Sequence, residues 1–191
     1  MMKKLIDLSA GAWRMREMGK KLWHEAHVPG SVYADLMADS TMPDPFYRDN
    51  EFAFFELMKS DWEYVCTFPM TADALTRSHI ALVCEGLDTL ADVSLNGEIV
   101  GEADNMHITW EWDVKSLLHA GENEILIHFD SPIEFALAAY EASPAWESSD
   151  ATPGFSHVRK AHCMYGWDWG PRLPDAGIWR NIELQLVDEP R

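Results

Sequence analysis

Short runs that alternate apolar and polar side chains constrain this chain more than any other feature. Trp62-Glu63-Tyr64-Val65-Cys66-Thr67-Phe68 puts Trp62, Tyr64, Cys66 and Phe68 on one face of a strand. Ile80, Leu82 and Cys84 repeat the pattern, and Val93 and Leu95 do so again just before Asn96-Gly97 and Glu98-Ile99-Val100. Asn-Gly between two such runs predicts a tight hairpin, because a type I′ turn needs positive φ at both central residues. Further strands are expected from Glu124 to Phe129 and from Asn181 to Val187, where Ile182, Leu184 and Leu186 alternate with Glu183, Gln185 and Val187. Helical signals are few. Ser131-Pro132-Ile133-Glu134 reads as a capping box with Pro at the first helical position, and Ile133, Ala136, Leu137 and Tyr140 follow on one face. Pro144 limits that helix to about Ala142. A shorter helix is expected from Ser31, bringing Val32 and Leu36 together. Many short strands, punctuating turns and brief helices point to an all-β chain, an antiparallel β-sandwich of the jelly-roll kind.

Composition limits what this sandwich can do. The chain has 191 residues, 47% of them hydrophobic and nine of them Trp, which suits one domain with a sizeable core and excludes disorder. A (β/α)8 barrel needs roughly 250 residues, so the chain cannot hold one. Its net charge of −17 disfavours nucleic acid and anionic membranes as partners. Most of this charge lies in residues 22–149, with 24 acidic and four basic side chains, most simply a solvated surface. Cys66, Cys84 and Cys163 are odd in number and fit no zinc spacing. With no signal-like or membrane-length apolar run, they suggest a soluble protein of a reducing compartment, the cytoplasm.

The densest chemistry lies near the C-terminus. After a long Pro- and Gly-containing connection over residues 143–157, the chain runs Val158-Arg159-Lys160-Ala161-His162-Cys163-Met164-Tyr165-Gly166-Trp167-Asp168-Trp169-Gly170-Pro171-Arg172, and on to Gly177-Ile178-Trp179-Arg180. Gly166, Gly170 and Pro171 break any strand here and present Trp167, Asp168 and Trp169 on a bend. A carboxylate between two indoles suits a sugar: the indole face meets ring C–H groups while the carboxylate accepts hydrogen bonds from neighbouring hydroxyls. The alternative is structural, with Trp167 and Trp169 in the core and Asp168 capping a turn or pairing with Arg159, Arg172 or Arg180. Strict alternation would also aim Trp167 and Asp168 apart, so a shared ligand requires irregular backbone. His157 and His162 lack a third zinc ligand. Asp88, Asp92, Asp104 and Asn105 could form a calcium site but lack the loop spacing, so turn-forming or solvated roles are favoured. No metal and no cofactor are expected.

These motifs resemble the N-terminal sugar-binding domain of β-mannosidases of glycoside hydrolase family 2. The resemblance covers nearly the whole chain. It rests on Val28-Pro29-Gly30-Ser31-Val32, Pro43-Asp44-Pro45-Phe46-Tyr47, Glu85-Gly86-Leu87-Asp88-Thr89-Leu90-Ala91, Gly101-Glu102-Ala103-Asp104-Asn105-Met106-His107, Arg159-Lys160, Gly166-Trp167-Asp168-Trp169-Gly170-Pro171 and Gly177-Ile178-Trp179-Arg180. It implies a jelly-roll domain over residues 1–191 and a catalytic barrel outside this chain. The barrel's two glutamates would remove terminal non-reducing β-D-mannose with retention, from about 5–5.5 Å apart. It implies no catalytic residue here; Trp167 and Asp168 would line the sugar subsite, and the partners would be the β-mannoside and the enzyme's other domains. A free-standing carbohydrate-binding module and a purely structural domain docked on the barrel are the competing readings.

Overall fold

The computed structural model describes residues 3–168 and 170–188. Its strands are β1 (Lys3–Asp7), β2 (Trp13–Glu17), β3 (His24–Ala26), β4 (Trp62–Met70), β5 (His79–Cys84), β6 (Leu87–Asp88), β7 (Ala91–Leu95), β8 (Glu98–Ala103), β9 (Trp110–Asp113), β10 (Gly121–Phe129), β11 (Gly177–Ile178) and β12 (Ile182–Val187). Three α-helices join them: α1 (Val32–Ala38), α2 (Glu51–Leu57) and α3 (Pro132–Ala142). A six-stranded sheet in the order β3-β2-β4-β10-β7-β8 and a four-stranded sheet in the order β1-β12-β5-β9 make the expected β-sandwich, and β6 and β11 form a separate two-stranded ribbon.

The alternation read from the sequence is the packing surface. Trp62, Tyr64, Cys66 and Phe68 of β4 are buried beside Ile125, Ile127 and Phe129 of β10, and Ile80, Leu82, Ile182, Leu184 and Leu186 of the second sheet belong to the same core. Each such large apolar side chain contributes about 1.5–3 kcal/mol on burial. The Tyr64 and Phe129 rings meet edge to face at 5.5 Å. One strand departs from the simple pattern: Ala81 and Val83 of β5 are buried too, so both faces of that strand are covered. Cys66 and Cys84 are buried free thiols, and burial pushes the Cys66 thiol up to about 11, so it behaves as a small hydrophobe.

The local signals hold where the chemistry is local. Asn96 and Gly97 take φ of 54° and 84°, as the β7–β8 hairpin requires. Ser31 caps α1, and Val32 and Leu36 are buried. Ser131 caps α3 through the Glu134 N–H, and that helix ends at Ala142. The capping box is only half formed, because the Ser131 N–H donates to Asp61 Oδ1 at 2.8 Å and not to Glu134. Strands β1, β2, β3, β6, β9 and β11 and helix α2 add to the elements expected. No helix among the described residues is long and apolar enough to cross a membrane.

Candidate functional site

Lys160 is the anchor of the C-terminal motif. Its side chain is wholly buried, and its ammonium pairs with the Asp88 carboxylate and donates to the Asp175 carbonyl oxygen at 2.7 Å. Thr89 Oγ1 donates to the same carboxylate of Asp88. Asp175, also buried, accepts from the Tyr33 N–H at 3.1 Å and from its own neighbour Ala176 N–H at 2.8 Å. These contacts tie the connection after Val158 to β6, to the first turn of α1 and to the turn before β11. Burial raises the Asp175 carboxyl to about 6, against the opposing pull of Ser31, the two N–H donors and Lys160.

A second set of contacts braces the chain that follows. The Met106 N–H donates to the Arg159 carbonyl at 3.1 Å, and the Trp179 indole N–H to the Met106 carbonyl at 3.2 Å. Tyr165 is buried and its hydroxyl donates to the Pro132 carbonyl. The 143–157 connection lies against the same unit. Glu147 accepts from the N–H groups of Gly154 and Ser156, the Thr152 N–H donates to the Tyr165 carbonyl, and Arg172 donates from Nε and Nη2 to the Asp150 carbonyl. Gly166 enters the tip at φ 88°, and a Cβ there would lie 2.5 Å from Arg172 Cγ, so this corner requires glycine.

The tip itself is a tight turn. Trp167 and Gly170 exchange backbone hydrogen bonds of 3.3 Å, which leaves Asp168 on the corner. The irregular backbone demanded by a shared ligand is therefore present. Trp167 is 43% exposed and not part of the core. Asp168 is exposed and makes no hydrogen bond or ion pair among the described residues. The three arginines offered as its partners are elsewhere: Arg172 holds Asp150, Arg180 lies over the Trp179 ring at 4.1 Å, and Arg159 is exposed without an ion pair among the described residues. Trp169, the second indole of the motif, lies outside the described residues.

The other candidates are occupied or dispersed. Asp88 is taken by Lys160 and Thr89, and Asn105 Oδ1 accepts from the His107 N–H, so these two serve the fold. His162 Nε2 lies 3.1 Å from the Val158 carbonyl, and its ring meets Phe155 edge to face. Among the described residues, Asp61, His128 and Asp130 form the one trio close enough to share an ion, far from the motif on the chain. There Asp61 already holds the Ser131 N–H, and His128 lies 3.1 Å from Asp130. The Asp88–Lys160–Asp175 cluster was missed by sequence reasoning, although Arg159-Lys160 and Asp88 both fall in the motifs that carry the resemblance.

Residues 13–180 match the family described as glycosyl hydrolase 2 galactose-binding domain-like. The chain belongs to glycosyl hydrolase family 2. Within this family it is 34% identical to a β-mannosidase of Bos taurus over 97% of its own length and 22% of that protein. It is 38% identical to β-mannosidase B of Neosartorya fischeri over 83% of its length and 19% of that protein. The crystal structure of a β-D-mannosidase from Dictyoglomus thermophilum superposes with a TM-score of 0.91 at 38% identity, covering the whole chain and 23% of the other. The chain thus spans about a fifth of the length of the relatives it matches. An exo-chitosanase of Amycolatopsis orientalis, with a TM-score of 0.69 at 17% identity, shares the fold.

Proposed function

We propose that this glycosyl hydrolase family 2 domain serves a retaining β-mannosidase-type enzyme that removes terminal, non-reducing β-D-mannose. Trp167 and Asp168 form one side of the mannose subsite, and a catalytic barrel elsewhere in the same polypeptide forms the other. The observation that carries this reading is Asp168: a charged side chain on the corner of a braced turn, next to an exposed indole, with no partner among the described residues. A carboxylate so placed accepts hydrogen bonds from two neighbouring sugar hydroxyls, while the Trp167 ring covers the C–H face. The β-mannosidase names of the relatives at 34–38% identity supply the substrate class. The chemistry belongs to two carboxyl groups of the barrel, one acting as acid and base and the other as nucleophile. The domain's share is to bind and orient the sugar. Its unpaired thiols fit a reducing compartment, which we take to be the cytoplasm.

Replacing Asp168 by Ala in the full-length enzyme removes a charged hydrogen bond of about 1.5–3 kcal/mol, so kcat/KM on a β-mannoside falls about 10- to 150-fold. Unchanged kinetics would leave the domain a purely structural support. Half a pocket binds poorly, so the isolated chain shows no hydrolysis and no sub-millimolar heat of mannose binding; such binding would instead favour a free-standing carbohydrate-binding module.

A further inference from the structure

The turn that presents Asp168 does not hold itself in place. Its two closing bonds, between the backbones of Trp167 and Gly170, are both 3.3 Å long, beyond the usual N–H···O range. A carboxylate that is to meet sugar hydroxyls must be kept within about 0.5 Å of its productive position, so the constraint has to come from the two legs of the turn. The incoming leg is deep. The Tyr165 ring is buried, its hydroxyl donates to the Pro132 carbonyl at 3.2 Å, and its own carbonyl accepts from the Thr152 N–H at 2.9 Å. The outgoing leg is shallow, because Pro171 has no N–H to donate and Arg172 is exposed.

The Arg172 side chain supplies what that leg lacks. Its guanidinium reaches back to the 143–157 connection and donates to the Asp150 carbonyl from Nε at 3.3 Å and from Nη2 at 3.0 Å. The residues before and after the tip are thereby tied to one short stretch, Asp150 to Thr152. The Arg172 stem lies over Gly166, where a Cβ would come 2.5 Å from Cγ, so the glycine that admits the chain to the tip also clears the path of the arginine. With 32 acidic residues in the chain, Arg172 forms no ion pair among the described residues, and its charge is spent on a backbone carbonyl. A guanidinium brings two donors to that oxygen in a fixed fork, which a lysine does not.

We infer that Arg172 is a positioning residue for the sugar subsite: it clamps the outgoing leg of the tip to Asp150 and so fixes Asp168 where a sugar hydroxyl can reach it. Arg172 touches no sugar in this role and acts through Asp168 alone. The inference rests on the proposed reading of Asp168 as a sugar ligand.

The test is a double-mutant cycle in the full-length enzyme, with Arg172→Met, Arg172→Lys, Asp168→Ala and the Arg172→Met/Asp168→Ala pair, read as kcat/KM on a β-mannoside and as the denaturant unfolding midpoint. Arg172→Met is expected to lower kcat/KM about three- to thirtyfold through misplacement of the carboxylate. Its unfolding midpoint stays at the wild-type value, because the side chain is exposed. In the Asp168→Ala background the same substitution changes kcat/KM by less than about twofold, since the group it positions is gone. Arg172→Lys, which keeps the charge and loses the fork, falls between wild type and Arg172→Met. Wild-type kinetics for Arg172→Met, or an equal loss in both backgrounds, would overturn the positioning role; an equal loss with a lowered midpoint would make Arg172 a support of the fold only. The two readings fail in different ways. Asp168→Ala at wild-type activity removes the sugar subsite and the positioning role with it, whereas an impaired Asp168→Ala beside an unimpaired or additive Arg172→Met removes the positioning role alone.

Discussion

Lys160 and Asp168 sit eight residues apart on one connection and live in opposite environments. The Lys160 ammonium is fully buried and matched by Asp88 and the Asp175 carbonyl. Asp168 is exposed and unmatched among the described residues. A buried charge must be neutralised within the fold, because leaving it unpaired costs several kcal/mol. An exposed carboxylate carries no such penalty and is free to serve a ligand. The difference separates what builds the turn from what the turn offers, and each side of it breaks in a different way.

The largest effect belongs to the anchor. Lys160→Met strands the Asp88 carboxylate in the interior and lowers stability by about 3–5 kcal/mol, to be read from denaturant unfolding. A wild-type midpoint in that variant would show that the pair does not hold the connection. Next is the pH dependence of the same cluster. An acid whose pKa rises on folding, here from about 4 to about 6, binds its proton more tightly in the folded state. Its contribution is therefore most favourable below about pH 4 and declines by about 2–3 kcal/mol as the pH rises through 6. Asp175→Asn removes this component of the stability–pH curve, and a curve unchanged in shape would sink the assignment. At the tip the pattern reverses: Asp168→Ala loses the activity stated above, while its unfolding free energy stays within about 0.5 kcal/mol of wild type. Trp167→Ala is the mildest, lowering kcat/KM about two- to tenfold through loss of aromatic contact.

The same contrast explains what the sequence revealed. Trp62 to Phe68, Ile182 to Leu186, Asn96-Gly97 and Ser131-Pro132 announce themselves because their signals lie within a few residues and report burial or backbone conformation directly. Strand β2 carries the same alternation, with Trp13 and Met15 buried, but its flanking arginines and glutamate disguise it. Helix α2 is obscured differently, since Phe54 alone of its residues is fully buried while Phe52 faces outward. The composition of the tip is legible in the run from Gly166 to Pro171, and its exposure is not, because either a core or a site would use the same indoles. Lys160 is the hardest to read: its partner Asp88 lies on a distant strand, and only the fold brings the two together.

The most direct test is a crystal structure of the full-length enzyme with a mannose-configured inhibitor in the active site. The account predicts a carboxylate oxygen of Asp168 within about 2.7–3.2 Å of a hydroxyl of the bound sugar ring, with Trp167 against the ring. A bound sugar that leaves Asp168 beyond hydrogen-bond reach, its carboxylate instead paired with a side chain of another domain, would contradict it.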